Sequence, residues 1–350
     1  MISLIIPTTS KNQEYTNNIV SNIRSLYPNE SEVEIIVETN DSVTLGQNYN
    51  NAVARANGDK IILLHNDMIL SPGFVETMDN HIQPGRITTY TRIEPPIFND
   101  VYPGKVILDC GYDLDTFNSH TFNSYRPVLE LQDGGSQLFF GCMRDEYIGI
   151  DGDTFAMFCE DDDLHRRYCL AGFEHKVSSA HVYHFVSKTS RAENTYQAIE
   201  LASNRNYIRK WGSRSNAPKY NIAFVVRNCN LQLLEALEPW CDRIYIEDEM
   251  EVIVNAYIER EQPNTQYDLR TRVLHINQNV PNDENDIIVA FDVKRITNTD
   301  FQYIQQLPEI LAADSLLSEF NQPGETFALG NLLITIWSAE TYEKNLIKCK

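Results

Sequence analysis

The 350-residue chain lacks any apolar run approaching the roughly 20 residues that cross a bilayer. Its opening residues, "MISLIIPTTS", carry no basic leader and run directly into a short strand, so a cytoplasmic protein without a transmembrane segment is expected. Positive charge is also scarce: 29 Lys and Arg face 49 Asp and Glu, a net charge of −20. The deficit is even, with 18 cations against 28 anions in residues 1–218 and 11 against 21 in 219–350. A nucleic-acid groove needs a cationic stripe to displace counterions, so no nucleic-acid partner is expected. A diphosphate ligand stays open, provided a metal or a few local cations supply the missing positive charge. The seven cysteines (Cys110, Cys142, Cys159, Cys169, Cys229, Cys241, Cys349) are scattered without a C-x-x-C pair. That pattern signals neither a disulfide framework nor a zinc site.

What is present is an alternation of strands and amphipathic helices in a chain that is 42% hydrophobic, enough for a real core and, by length, for two domains. "SLIIPT" reads as a buried strand, and Ile19, Val20, Ile23 and Leu26 follow at helical spacing until Pro28. "VEIIVE" is a second strand. "LGQNYNNAVARANGD" carries Ala52, Val53 and Ala56 on one helical face, and "KIILLH" is the third strand. This β-α-β-α-β order predicts an α/β fold with a parallel, doubly covered sheet. Residues 84–140, rich in Pro, Gly and aromatics, give no clear element. Further on, "FFGCMRDEYIGIDGD" leads from a strand through a Gly-rich turn into an acidic-started helix and the strand "AHVYHF". A helix ending "NRNYIRKWG" closes a domain expected over residues 1–212. A linker at 213–219 is expected before a smaller α/β domain, 220–350, whose strands "NIAFVV", "RIYIE", "RVLHI" and "DIIVAFDV" alternate with helices at 230–239, 250–261 and 299–313.

Ligands of parallel sheets bind beyond the carboxyl ends of the strands. Pro7-Thr8-Thr9, Glu38-Thr39-Asn40-Asp41 and His65-Asn66-Asp67 each follow one of the first three strands, so the three clusters are expected to share one crevice. The third is the most pointed, because the apolar run Ile61 to Leu64 ends abruptly in an imidazole, an amide and a carboxylate. Asp67 is the best ligand there for a hard divalent cation such as Mg²⁺ or Mn²⁺, with a simple strand-ending turn as the alternative. Glu160-Asp161-Asp162-Asp163 opens a helix, where the macrodipole accounts for one or two carboxylates. Four packed together repel, so either a cation shares them or at least one has a raised pKa suited to general-base work. His181 and His184 lie three apart on a strand, so only one reaches the crevice. His184 is favoured by the polar "SKTSR" that follows, whose Lys188 and Arg191 can close over a diphosphate.

In order, "SLIIPT", "EIIVETNDS", "NYNNAVARANGDKIILLHND", "FCEDDDLHRR" and a last strand with His resemble the GT-A glycosyltransferases of family 2. The match is best to the rhamnosyltransferase-type branch, whose signature reads E-D-x-D-L, and it covers about residues 1–212. The resemblance implies a GT-A domain, a Rossmann-like, mostly parallel sheet built for nucleotide-diphospho-sugar transfer. Asn50, Ala56 and Gly58 match the helix leading to the third strand. Glu38, in preference to Asp41, would hold the base and ribose of the donor. His65-Asn66-Asp67 stands where the D-x-D element belongs, with Asp67 kept as metal ligand and His65 departing from the pattern. Asp161 would be the catalytic base, and His184 would complete the metal shell. Pro7, Thr8, Thr9, Asn40, Asn50, Asn66, His65, Lys188 and Arg191 would line the donor.

The implied activity is a metal-dependent inverting transfer, with Mn²⁺ or Mg²⁺, from a nucleoside-diphosphate sugar to a hydroxyl of a glycan acceptor. UDP-linked donors are expected first, with dTDP- or GDP-linked ones compatible. For the acceptor, Phe139, Phe140, Tyr147 and Phe155 can stack on sugar rings and Asp151 can bond a hydroxyl, although core packing explains the aromatics equally well. Two other readings compete. One is an inactive GT-A-like protein that binds sugar or nucleotide; the other is a sugar nucleotidyltransferase, whose G-x-G-x-R loop is missing from "IIPTTSKN". The tail has no G-x-G-x-x-G and no P-loop, and its Glu247, Asp286 and Asp292 fall near strand ends. An accessory role in acceptor binding, homo-oligomerisation or docking is expected for it, ahead of a degenerate second transferase domain.

Overall fold

The computed structural model describes residues 1–29, 31–128, 130–135, 138–186, 196–246, 251–275, 284–313 and 322–348. Contacts divide the chain into two compact units, Met1–Glu200 with Ile347–Lys350, and Leu201–Leu346. The division falls inside the helix Tyr196–Trp211 and not at the expected linker. Residues 213–219 belong to the second unit, where Ser213 and Lys219 are buried.

Unit 1 begins with β1 (Ile2–Thr8), α1 (Gln13–Leu26), β2 (Val33–Thr39), α2 (Leu45–Ala54), β3 (Lys60–Leu63), β4 (Met68–Leu70) and α3 (Phe74–His81). It continues with β5 (Arg86–Glu94), β6 (Lys105–Ile107), α4 (Ser119–Ser124), β7 (Leu131–Asp133), β8 (Phe140–Met143), α5 (Glu160–Leu170) and β9 (Glu174–His184). The sheet order is β2-β1-β3-β8-β5-β9-β4, with β6 beside β5 and β7 beside β9. β1 is parallel to β2 and β3, β8 is antiparallel to both β3 and β5, and β5 is parallel to β9. The strands β1, β3, β5 and β9 therefore point their carboxyl ends toward one edge. This is an α/β fold whose sheet is mixed: β2, β1 and β3 run parallel, antiparallel β8 lies between β3 and β5, and antiparallel β4 forms the end beside β9.

Alternation along β3 explains why both faces are covered. Ile62 and the following Leu64 pack with Ile19 and Ile23 of α1 and Phe74 and Met78 of α3. Ile61 and Leu63 face the other way, against Tyr49, Ala52 and Val53 of α2 and Leu164 and Tyr168 of α5. A continuous apolar run is what a strand buried on both faces requires. Gly58 precedes β3 because a Cβ there would sit 2.6 Å from Ser3 Oγ and 2.8 Å from the Met1 carbonyl. The sequence reading leaves 84–140 blank, yet β5 is a nine-residue strand in mid-sheet. Its buried Thr88, Thr89, Thr91, Arg92 and Glu94 dilute the apolar signal.

Unit 2 takes up α6 (Tyr196–Trp211) beyond residue 200 and adds β10 (Ile222–Arg227), α7 (Leu231–Leu237), β11 (Arg243–Ile246), α8 (Glu251–Glu261), α9 (Leu269–Arg272) and β12 (Val273–His275). β13 (Ile287–Asp292), α10 (Asn298–Gln305), α11 (Leu307–Ala312), β14 (Glu325–Leu329) and β15 (Leu332–Ile336) complete it. Its sheet runs β12-β11-β10-β13-β15-β14, parallel up to β13 and closed by the antiparallel hairpin β14–β15, which the sequence reading does not contain. Among the described residues no helix is long and apolar enough to cross a membrane.

Candidate active site

Strand register assembles the site. After β3 the chain needs only Leu64, His65, Asn66 and Asp67 to turn into β4, which pairs antiparallel with β9 so that Met68 lies opposite His184. The Asp67 carbonyl accepts the Phe185 amide at 3.0 Å. On the other side of β9, the parallel pairing of Ile93 with Tyr183 brings Glu94 alongside His184. Asp67 Oδ1 lies 3.4 Å from His184 Nε2, while His184 Nδ1 bonds Glu94 Oε1 at 2.8 Å. The His65 ring stands edge-on to that of His184, with centroids 5.5 Å apart, and both rings pack on Phe139. One ligand atom from each of His65, Asp67 and His184 falls within 4.8 Å of the others.

Charge in this cluster is tightly organised. Burial works against ionisation of Glu94, but the hydrogen bond from His184 and the charges of His184, Arg92 and Lys105 prevail and pull its pKa down to about 2. Arg92 and Lys105 lie 3.6 and 3.5 Å from its oxygens. Burial likewise disfavours a His184 cation, yet Asp67 and Glu94 outweigh it and raise its pKa to about 9. His65 has the opposite fate, since burial and the neighbouring His184 depress it to about 4, leaving a neutral ring at pH 7. His65 Nε2 is buried without a hydrogen-bond partner, and His184 Nε2 faces the Asp67 carboxylate. A divalent cation fits this set: the His65 lone pair, the Asp67 carboxylate and His184, which would give up its Nε2 proton to the metal, converge, and Glu94 orients His184 as an outer carboxylate orients a ligating histidine.

The acidic start of α5 is divided in its duties. Asp163 is fully buried in an ion pair with Arg167, 2.7 Å, whose guanidinium also donates to the Gly149 carbonyl at 2.7 Å. That pair is scaffold. Glu160 and Asp161 have raised pKa values, each through burial and then its acidic neighbours. Asp161 is half-buried, accepts the Asp162 amide at 2.9 Å, and is drawn down by the charge of Arg92. Tyr49 feels the negative charges of both Glu160 and Asp67. Through Arg92 and Tyr49, the start of α5 and the His65–Asp67 turn thus share one electrostatic neighbourhood.

The remaining candidates are placed as follows. Pro7 and Thr8 end β1, and Thr8 Oγ1 lies 2.6 Å from Thr16 Oγ1. Asn66 Nδ2 donates to both hydroxyls, at 3.1 and 3.3 Å. Thr9 accepts Gln13 Nε2 through its carbonyl, and Asp41 accepts the Ser10 amide at 3.1 Å, tying the loop after β1 to the loop after β2. Glu38 is ion-paired with Arg55, and Asn40 Oδ1 accepts the Ser42 amide. Asn50 is committed elsewhere: its amide donates to the Ile150 carbonyl at 2.8 Å and accepts Ile150 N and Tyr147 Oη at 2.9 Å each. It holds the loop before α5, and a donor contact through this amide is not what the geometry offers. Lys188 and Arg191 lie outside the described residues.

Several expectations for the acceptor side are corrected. Phe139 packs beneath Arg92, 3.8 Å from the guanidinium carbon, and against both histidines. Phe140 stacks edge-on to Tyr168, Phe155 is fully buried, and Tyr147 serves Asn50. Asp151 closes its own turn by accepting Thr154 N and Oγ1. These are packing and turn residues. His181, on the face opposite His184, packs against Phe122 and Tyr125. In unit 2, Asp292 accepts Asn228 Nδ2 at 2.9 Å and Asp286 rims a cleft of about 630 Å³; Glu247 lies outside the described residues.

Sequence reasoning missed Glu94 and Arg92. The signal was the β-branched and aromatic run "ITTYTRIE", which is strand-like in propensity.

No protein-family model matches the chain, and no curated protein matches it. Among solved structures it is similar to S. aureus TarS 1–349 in complex with UDP, with 10% identity and a TM-score of 0.39. That match covers 97% of this chain and 98% of the other. A likeness of this degree carries no argument, so function rests on the side chains.

Proposed function

We propose that unit 1 is a metal-dependent glycosyltransferase of the inverting, GT-A type, using a nucleoside-diphosphate sugar. The observation that carries this reading is the meeting of His65, Asp67 and His184, with an orphaned His65 nitrogen, in one electrostatic neighbourhood with a partly buried carboxylate of raised pKa. Asp67, His184 and His65 would hold Mn²⁺ or Mg²⁺, whose charge, when bound, stabilises the leaving diphosphate. Asp161 would take the proton of the acceptor hydroxyl, and its raised pKa suits a base that must hold that proton. Glu94 keeps the His184 ring oriented. The rim formed by Thr9, Asn40 and Glu38 is the proposed seat of the nucleoside. Attack from the side opposite the leaving group would invert the anomeric centre, onto a glycan hydroxyl. Unit 2, with its own sheet, is proposed as an accessory module.

A panel of nucleotide sugars tests this. Incubation with Mn²⁺ is expected to release nucleoside diphosphate from one or a few donors, UDP-linked ones first and dTDP- or GDP-linked ones next. Nucleotide binding without any release would favour a binding protein instead.

A further inference from the structure

A second group of ligating side chains lies at the other end of α5. His165 and Cys169 sit one helical turn apart on one face of the helix. The chain then turns back through Gly172, at φ +82°, into β9, which presents His175 to the same point. Cys169 Sγ is 3.6 Å from His165 Nε2 and 3.5 Å from His175 Nε2, and the two rings meet edge-on with centroids 4.6 Å apart. The three ligand atoms lie within 4.8 Å of one another.

These separations match a zinc polyhedron. With Zn–S of about 2.3 Å and Zn–N of about 2.0–2.1 Å, a tetrahedral angle sets the S···N edge at roughly 3.5 Å. We infer that His165, Cys169 and His175 form a binding site for Zn²⁺, distinct from the His65–Asp67–His184 cluster and independent of the transferase reading. The donor set, two imidazoles and a thiolate, excludes the oxygen-seeking Mg²⁺ and Ca²⁺. Burial keeps both imidazoles below their ordinary pKa, His175 at about 4, so their lone pairs are free of protons at pH 7. Burial holds the thiol above its ordinary value, so the proton it carries without metal is released to solvent as Zn²⁺ takes its place. Three protein ligands and an exposed Cys169 leave the fourth position open to water. The bond would clip the last turn of α5, the helix that carries Asp161, to the start of β9. Cysteine spacing gave no sign of it, because the ligands alternate with histidine across a turn.

Cobalt reports this site without any assay of activity. Metal-free full-length protein titrated with Co²⁺ is expected to show tetrahedral d–d bands and a thiolate-to-cobalt charge-transfer band saturating at one equivalent, both removed by Zn²⁺. Cys169→Ser should abolish the charge-transfer band, and His165→Ala should weaken cobalt binding by at least about 10–100-fold. The oxygen- and nitrogen-bearing cluster at Asp67 cannot produce a thiolate band, so the two sites are told apart. Absence of that band in the unaltered protein, or its persistence in Cys169→Ser, would overturn the assignment.

Discussion

Glu238 in unit 2 and Asp161 in unit 1 are both carboxylates withdrawn from water, and their surroundings act on them in opposite directions. Glu238 is fully buried, and burial alone would raise it, but Arg272 and Arg209 prevail and lower its pKa to about 2. It accepts Arg272 Nε at 2.7 Å, Arg209 Nη2 at 2.8 Å and Tyr257 Oη at 2.8 Å, while Arg209 reaches on to Glu261 at 2.6 Å. None of these side-chain atoms is left without a partner. Around Asp161 and the His65–Asp67 turn the accounting is open: Glu160 Oε2, Arg92 Nε and His65 Nε2 are buried without one. A closed network rigidifies a fold, whereas buried polar atoms left unmatched are costly unless something else satisfies them. The difference separates a structural charge cluster from the proposed site.

The largest effect should come from Asp161, the carboxylate proposed as the base. Asp161→Asn is expected to lower turnover about 10²–10⁴-fold while nucleotide affinity survives, as read from kcat and from equilibrium binding. Next in size, Glu238→Gln strands Arg272 in the interior and leaves Arg209 with Glu261 alone, which should cost unit 2 about 3 kcal/mol or more, measured by urea unfolding. If both variants lost stability alike, the contrast between the units would disappear. A milder test is His65→Asn, which should leave the thermal midpoint nearly unchanged but weaken divalent-metal binding about 10–100-fold by calorimetry.

Acid gives the smallest and most discriminating effect. The folded pKa of Glu238, about 2, lies below its ordinary 4.5, so its contribution is fully present above pH 4.5 and is lost as pH falls through about 2. Glu238→Gln should therefore erase part of the acid dependence of unfolding in that window. Asp161 has the reverse sign: a raised folded pKa makes its ionised form a burden above that pKa, relieved as pH falls. Asp161→Asn should accordingly raise the neutral-pH thermal midpoint slightly even as it removes turnover, a trade seen where activity requires strain.

Much of unit 1 was legible because its first three strands are apolar on both faces and end in polar clusters. Ile61 to Leu64 announced β3, and the abrupt His65-Asn66-Asp67 announced an unusual turn. What stayed hidden depends on long-range register. Glu94 reaches His184 only because β5 and β9 pair in parallel, and a run of threonines with buried Arg92 reads as loop when hydropathy is the guide. The partners of Asn50 lie about 100 positions away, so a residue read as a donor contact proved to be the clamp of a loop. In the acidic cluster, the sequence could not divide Asp163, neutralised by Arg167, from Asp161, which has no such cation bonded to it in the helix. In unit 2 the hairpin β14–β15 escaped because its strands are short and half-exposed.

The most direct test is calorimetric titration of UDP into the unaltered protein and into Asp67→Ala, each with and without Mn²⁺. Binding that requires Mn²⁺ and is lost in Asp67→Ala is the predicted result. Binding of equal strength in all four titrations would contradict a metal-centred donor site at His65, Asp67 and His184.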